Sequence, residues 1–251
     1  MKPTPLTKIQ DLLNKLLPYM DQRNQLDALT LRRYKKEAEA NLGFDPFLGY
    51  RLMQRIAVLE WDEAGVDMYG KNAILIHDNV ESRGDYAVSL QLLGKFVEAS
   101  EQAIITSEYA PTVLSYLHRA IGICFNAGML RRAGELCETY NLRSPLKHHA
   151  YTDPITDASA VLEKIGVDEA IVIECNRLAF ALLRERKIPY SHTYLETDPG
   201  DETIMFFVRV DRTTKEVEEL DVELGDRLFE KVPEFHPGKY WVGYAKDRTA
   251  E

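Results

Sequence analysis

Four residues recur in this chain at one fixed distance, and that spacing limits the fold more than any other feature of the sequence. Gly94, Ala99 and Pro111 are matched 34 residues later by Gly128, Ala133 and Pro145; Glu101 and Glu135 keep the same step, and Phe96 meets Leu130. The two stretches read "LGKFVEASEQ" and "AGMLRRAGEL", with helical sequence on both sides of each glycine. Glycine costs about 1 kcal/mol relative to alanine in a helix interior. The spacing therefore predicts that each glycine ends one helix and turns the chain into the next. The alanine that follows lets the second helix pack closely, and the proline stops it. Two helical hairpins are expected, over residues 80–113 and 114–147.

A period of 34 with a turn glycine, an aromatic or leucine, a small packing residue and a closing proline resembles the tetratricopeptide repeat family. The chain departs from the family pattern at Ala103 and Cys137, where a bulky aromatic is usual, and at Thr106 and Tyr140, where a small residue is usual. Ala87 fits the small position of a first helix; Ile121 does not, with Gly122 one place late. Upstream, Ala64 or Gly65 could serve a degenerate unit. The resemblance implies stacked units that bury a shared core and a concave groove, lined by the first helix of each unit, that binds a peptide or protein segment. Carried across, the groove positions are Glu81, Gly84, Val88, Gln91 and Leu92 in one unit and Ser115, His118, Gly122, Phe125 and Asn126 in the next. Val88, Gln91, Leu92, His118, Phe125 and Asn126 are the expected partner-binding residues. Phe125, Val88 and Leu92 offer apolar contact, and Gln91, His118 and Asn126 offer hydrogen bonds. Gly84 and Val88 stand where some family members carry a carboxylate clamp, so an extended or helical segment is the natural guest. The groove could instead be filled by the N-terminal helices.

Ahead of the repeats, Ile9, Leu12, Leu13, Leu16 and Leu17 form one helical stripe. A second helix places Leu29, Tyr34, Ala38 and Leu42 inward and stops at Gly43. Two more helices fit residues 48–60 and 62–77, although "NAILIHD" also suits a strand. After Pro145 the texture changes. "ASAVLEKIG" and "VDEAIVIECNRLAFALLRERK" read as helices, the second apolar on most of its surface. From Ile188 a period of two appears: "YSHTYLE", then "TIMFFVRV" as a central strand covered on both faces. "DRTTKE" is expected to connect a hairpin to "VEELDVEL", where Leu220, Val222 and Leu224 alternate with acids, followed by a short helix at "GDRLFEKV" and a last strand "KYWVGYA". The expected class is α+β: an N-terminal helical repeat region, residues 1–150, then residues 151–251 with a long helix and three or four antiparallel strands.

A formal charge of -9 disfavours phosphate backbones, and the densest basic stretch, "LRRYKKEAEA", is interleaved with acids. Tyr240, Trp241 and Tyr244 fit core packing or a protein-facing sheet, including a homo-oligomeric contact, better than base stacking. An odd set of cysteines without a C-x-x-C pair, a polar N-terminus and no long apolar run suggest a cytoplasmic protein outside the membrane. His148 and His149 beside Asp153 and Asp157 supply ligand types, but adjacent histidines diverge, so no metal is expected and no cofactor is implied. No nucleophile-elbow, phosphate-loop, dinucleotide or zinc-protease string occurs. Two functions stay open. One is a binding module acting as adaptor, regulator or assembly factor. The other is a hydrolase with His192 and Glu196, four apart on a strand and so on one face, joined by His236 as an acid–base site.

Overall fold

The computed structural model describes residues 5–21, 26–144, 148–198, 200 and 202–247. Pro145, singled out above, lies outside them.

Ten helices precede the sheet in the described residues: α1 (Pro5–Asp21), α2 (Ala28–Asn41), α3 (Pro46–Glu60), α4 (Glu63–Ile76), α5 (Val80–Leu92), α6 (Phe96–Tyr109), α7 (Leu114–Ala127), α8 (Leu130–Arg143), α9 (Thr152–Ile165) and α10 (Glu169–Glu185). Polar caps start many of them. Asp27, Asp45, Asp62 and Asp168 each accept a backbone N–H from the first turn, and Asn79 and Ser82 form a reciprocal capping box on α5. "NAILIHD" belongs to α4 as far as Ile76. From α3 to α9 each helix packs against the next, giving consecutive antiparallel layers.

The turn glycines do what the spacing requires. Gly94 and Gly128 take φ of 71° and 80°. Lys95 N–H donates to Leu90 O at 2.9 Å and Gly94 N–H to Gln91 O at 2.8 Å; Met129 and Gly128 repeat the pattern on Cys124 O and Phe125 O. This double closure satisfies the last carbonyls of α5 and α7. The same closure occurs between α3 and α4, where Asp62 N–H donates to Ala57 O and Trp61 N–H to Val58 O. There the left-handed residue is Trp61, at φ 58°. A bulky residue in that region is uncommon, which is why composition hid this third turn.

The glycines have a second use. A Cβ on Gly94 would lie 2.9 Å from the Phe180 Cβ, and one on Gly128 would lie 2.9 Å from Val172 Cγ1 and 3.2 Å from the Ile173 backbone nitrogen. Helix α10 therefore runs across the ends of the hairpins and presses on their turns. Arg184 fastens it, donating to Leu93 O at 3.2 Å and pairing with Glu63 at 2.6 Å. Phe96, Phe180 and Tyr190 pack ring against ring beside it.

The C-terminal part is α+β, with its sheet built from β1 (Tyr190–Asp198), β2 (Thr203–Val210) and β3 (Tyr240–Lys246) in the order β1-β2-β3. Against expectation the sheet is mixed: β1 pairs antiparallel with β2, and β3 pairs parallel with it. A parallel neighbour needs a crossover, and the segment expected as a strand supplies it. Helix α11 spans Thr214–Lys231. Its capping box, with Thr213 accepting from Glu216 N–H and Glu216 accepting from Thr213 N–H, starts a helix where a hairpin was expected. Val217, Leu220, Leu224 and Leu228 are buried at helical spacing, whereas Val222 is 67% exposed. The residues read as a separate short helix are the end of α11.

β2 is buried on one face rather than two. Ile204, Phe206, Val208 and Val210 are buried, while Met205, Phe207 and Arg209 are half-exposed. α9 and α10 cover the inner face: Tyr240 and Tyr244 hydroxyls donate to Asn176 Oδ1 and Ala179 O on α10. α11 lies along β3, where Asp221 accepts the Tyr244 N–H at 2.8 Å. One buried apolar cluster runs from Ile9 through the helices to Tyr244. Leu29, expected inward, is 80% exposed.

Candidate binding groove

The six residues expected to line a groove separate into two groups. Val88, Gln91 and Leu92 on α5 border an open depression of about 420 Å³ with Leu17 and Met20 of α1, Arg55 of α3, Asp85 and Ser89 of α5 and Arg119 of α7. It is formed by α1 and by the first helices of three successive hairpins. α1 is aligned by the leucine stripe, whose Leu12, Leu13 and Leu16 are buried while Leu17 stays 50% exposed at the groove. Arg55 ties it to α3 by donating to Leu13 O at 3.0 Å. Pro18 lies just beyond, inside α1, and cannot donate a backbone N–H to the preceding turn.

Charge in the groove is ordered. Arg51 bridges Glu81 and Asp85, each at 2.7 Å, and Arg55 reaches the same Asp85 carboxylate at 3.4 Å. Gln54, fully buried, donates to Asp85 O at 3.2 Å. The two carboxylates are therefore matched by two guanidinium groups. Arg119 is different: it is exposed, and its guanidinium has no ion-pair or hydrogen-bond partner among the described residues. In a chain of net charge -9, this groove carries a cation in excess.

Phe125, Asn126 and His118 face the chain's own C-terminal part. Phe125 is 1% exposed and stacks on Tyr151 at 4.7 Å between centroids and 13° between planes, with Phe206 at 5.9 Å. Asn126 receives the Thr193 hydroxyl on its side-chain oxygen, and its carbonyl accepts from Asn176 Nδ2 at 3.2 Å. The concave side of this unit is filled by Tyr151, β1 and β2, not by N-terminal helices. Such contacts, 26 to 81 residues apart in sequence, leave no local periodic signal.

His118 bonds His149 through Nδ1 and Nε2 at 2.7 Å. Tyr151 N–H donates to His149 Nδ1 at 3.2 Å, so a neutral His149 carries its proton on Nε2 and donates it to His118. Burial, helped by His118 and His148, lowers the His149 pKa to about 4. Cys137 Sγ lies 3.8 Å from His149 Nδ1, but it is 1% exposed and burial raises its pKa. A protonated, enclosed thiol is a poor nucleophile. His148 turns outward to Asp153 at 2.9 Å while His149 turns inward, so the adjacent histidines diverge. Among the described residues no three histidine, cysteine or carboxylate side chains gather into a metal-binding group.

His192 and Glu196 share the exposed outer face of β1, and His192 Nδ1 is 3.1 Å from Ser191 Oγ. His236 is exposed before β3. The register places Thr193 beside Val208 and Tyr244, but Tyr240 beside Ile204 and Thr197. Thr193 and Tyr240 thus lie toward opposite ends of the sheet, about 13 Å apart along the strands at 3.3 Å per residue, and His236 stands one turn before Tyr240, whose N–H donates to its carbonyl. A histidine and carboxylate that share a proton must be within hydrogen-bond reach, and His236 is not within reach of His192. Sequence spacing could not show this, because it depends on β3 running parallel to β2.

Among the described residues no helix is long and apolar enough to cross a membrane. No protein family, curated protein or solved structure matches the chain.

Proposed function

We propose that this protein is a protein–protein interaction module, an adaptor or regulator of the tetratricopeptide type, that holds a short partner segment in the groove between α1, α3, α5 and α7. The observation that carries this reading is the groove itself: an apolar lining of Leu17, Met20, Val88 and Leu92 next to Arg119, which has no partner among the described residues. The recurrent turns at Trp61, Gly94 and Gly128 and the layer-by-layer packing support a repeat stack. Its volume suits a few side chains of a guest rather than a globular surface.

The guest's chemistry follows from the lining. Two or three apolar side chains seat along Leu17, Met20, Val88 and Leu92, and one carboxylate meets Arg119. Asp85 is already satisfied by two arginines, so it orients Arg55 rather than recruiting a cation. The adjoining unit contributes no further groove, because Phe125 and Asn126 are occupied from within the chain. The segment is therefore short.

Selection of random dodecapeptides displayed on phage tests this. Wild type is expected to enrich sequences pairing apolar residues with Asp or Glu. Arg119→Glu, which places like charges together, is expected to weaken those peptides about tenfold or more, and Val88→Asp to abolish them. Equal binding by all three proteins would overturn the groove.

A further inference from the structure

The sheet has two edges, and they are treated differently. At β3 the outward Tyr244 N–H is taken by Asp221, and α11 covers the strand. At β1, among the described residues, no backbone hydrogen bond joins residues 191–197 to any element except β2. In a strand paired on one side, alternate N–H and C=O groups point away from the partner and remain available. Ser191, His192 and Glu196 are exposed along that edge. β1 is nine residues long; its register on β2 shifts by one between Tyr190 and Thr193 and is regular from Thr193 to Asp198, a run longer than the very short edge strands that resist pairing.

Its sequence, "YSHTYLETD", is polarised: His192 lies toward one end, and Glu196 and Asp198 toward the other. We infer that β1 pairs with β1 of a second copy of this chain, antiparallel and two-fold symmetric about Tyr194, with His192 of each copy facing Glu196 of the other. Directly opposed residues in an antiparallel pair share a face, with Cβ atoms about 4.5–5.5 Å apart. Placing the axis at Tyr194 therefore keeps His192, Tyr194 and Glu196 on the outer face in both copies. Each imidazole N–H donates to a carboxylate across the axis, twice per dimer. A parallel arrangement in the same register would instead set Glu196 against Glu196.

The outer face extends the argument. Tyr194 stacks on Phe207 with centroids 5.0 Å apart, and the Arg209 guanidinium covers the Tyr194 ring at 4.9 Å. Across the two-fold axis the two Tyr194 rings become neighbours, and the aromatic row runs Phe207, Tyr194, Tyr194, Phe207. The product is one six-stranded sheet. The inner face stays as it is, since Thr193 already bonds Asn126 and Tyr190 donates to Gln91 O.

Sedimentation velocity of the full chain up to about 100 µM, a range that reveals micromolar association, tests the pairing. Wild type is expected to sediment as a dimer. His192→Glu opposes two pairs of carboxylates and is expected to weaken the dimer at least tenfold, while circular dichroism stays unchanged. Adding Glu196→Lys to His192→Glu reverses the polarity and is expected to restore the dimer, which a merely structural role for either residue would not do. For the register, Tyr194→Cys is expected to form an interchain disulfide under mild oxidation and Asp198→Cys is not, because positions 198 lie about 26 Å apart across the axis. Cys124, Cys137 and Cys175 are buried and do not interfere. A monomeric wild type at the highest concentration would overturn the proposal. So would a dimer indifferent to His192→Glu, or a disulfide at 198 in place of 194.

Discussion

Three glycines in left-handed backbone offer a sharp test of how the helices and the sheet are joined. Gly94, Gly128 and Gly166 have φ of 71°, 80° and 65°. Replacing any of them by alanine carries the same backbone cost, about 1–2 kcal/mol for an L-residue in that region. Their surroundings differ. A Cβ on Gly166 meets nothing within 4 Å. On Gly94 it meets the Phe180 Cβ at 2.9 Å, an atom fixed to the α10 backbone that no rotamer change removes. On Gly128 it meets Val172 Cγ1 and the backbone of Val172 and Ile173. Relieving such contacts requires α10 to shift, at about 1–3 kcal/mol for overpacking of this kind. Equilibrium urea unfolding should then show Gly166→Ala losing about 1–2 kcal/mol, and Gly94→Ala and Gly128→Ala losing about 2–5 kcal/mol each. Because α10 also holds Tyr240 and Tyr244, near-ultraviolet circular dichroism of the latter two should change as well. Equal losses at all three sites would refute the docking of α10 on the hairpin turns. A second unfolding transition in Gly94→Ala would show that the helices and the sheet part from each other when that contact is strained.

Other expectations concern charge and capping. Burial raises the Asp221 pKa from 3.8 to about 6, so the folded state holds this proton more tightly than the unfolded chain. That contribution is full below pH 3.8 and is lost as pH rises to about 6; it amounts to at most about 3 kcal/mol. His149 acts in the opposite sense: its pKa falls from 6.5 to about 4, so stability is full above pH 6.5 and declines toward pH 4 by a similar amount. The two slopes offset each other between pH 4 and 6, and wild-type stability should vary little there. Asp221→Asn keeps an acceptor for Tyr244 N–H; it should be more stable than wild type at pH 7 by about 1–3 kcal/mol and should reveal the His149 slope in urea titrations at stepped pH. Thr213→Ala removes the α11 cap and should lower thermal stability by about 1 kcal/mol, whereas Val222→Thr should be neutral, the reverse of what a half-buried strand would give.

What could be read from the sequence was local. Gly94 and Gly128 announce their turns because glycine is the cheapest residue in left-handed backbone, and the leucine stripe of α1 announces its face. Trp61 makes the same turn without a compositional sign. Leu220 and Leu224 fit both a period of two and a helical repeat. The choice rested on Val222, whose exposure only the fold shows, and on the Thr213–Glu216 box, a signal present in "TTKE". The crossover depends on that helix, and the parallel pairing of β3 depends on the crossover. The groove divides in the same way. Val88, Gln91 and Leu92 are placed by their own helix and its neighbours, so repeat spacing reaches them. Phe125 and Asn126 are decided by Tyr151, Thr193 and Phe206, which the chain supplies only after it has folded back.

The carboxylate of Asp221 has a consequence for assembly. A sheet with two available edges can add copies at both and grow without limit. Here Asp221 and α11 close β3, so addition is confined to β1. Contact between two β1 strands is isologous: each chain offers the same edge and uses it up in a single event. Assembly through this sheet therefore closes at two chains and has no route to a filament. Asp221→Lys, which sets a cation against the Tyr244 N–H and levers α11 away, would give the protein a second edge and with it the geometry of an open polymer.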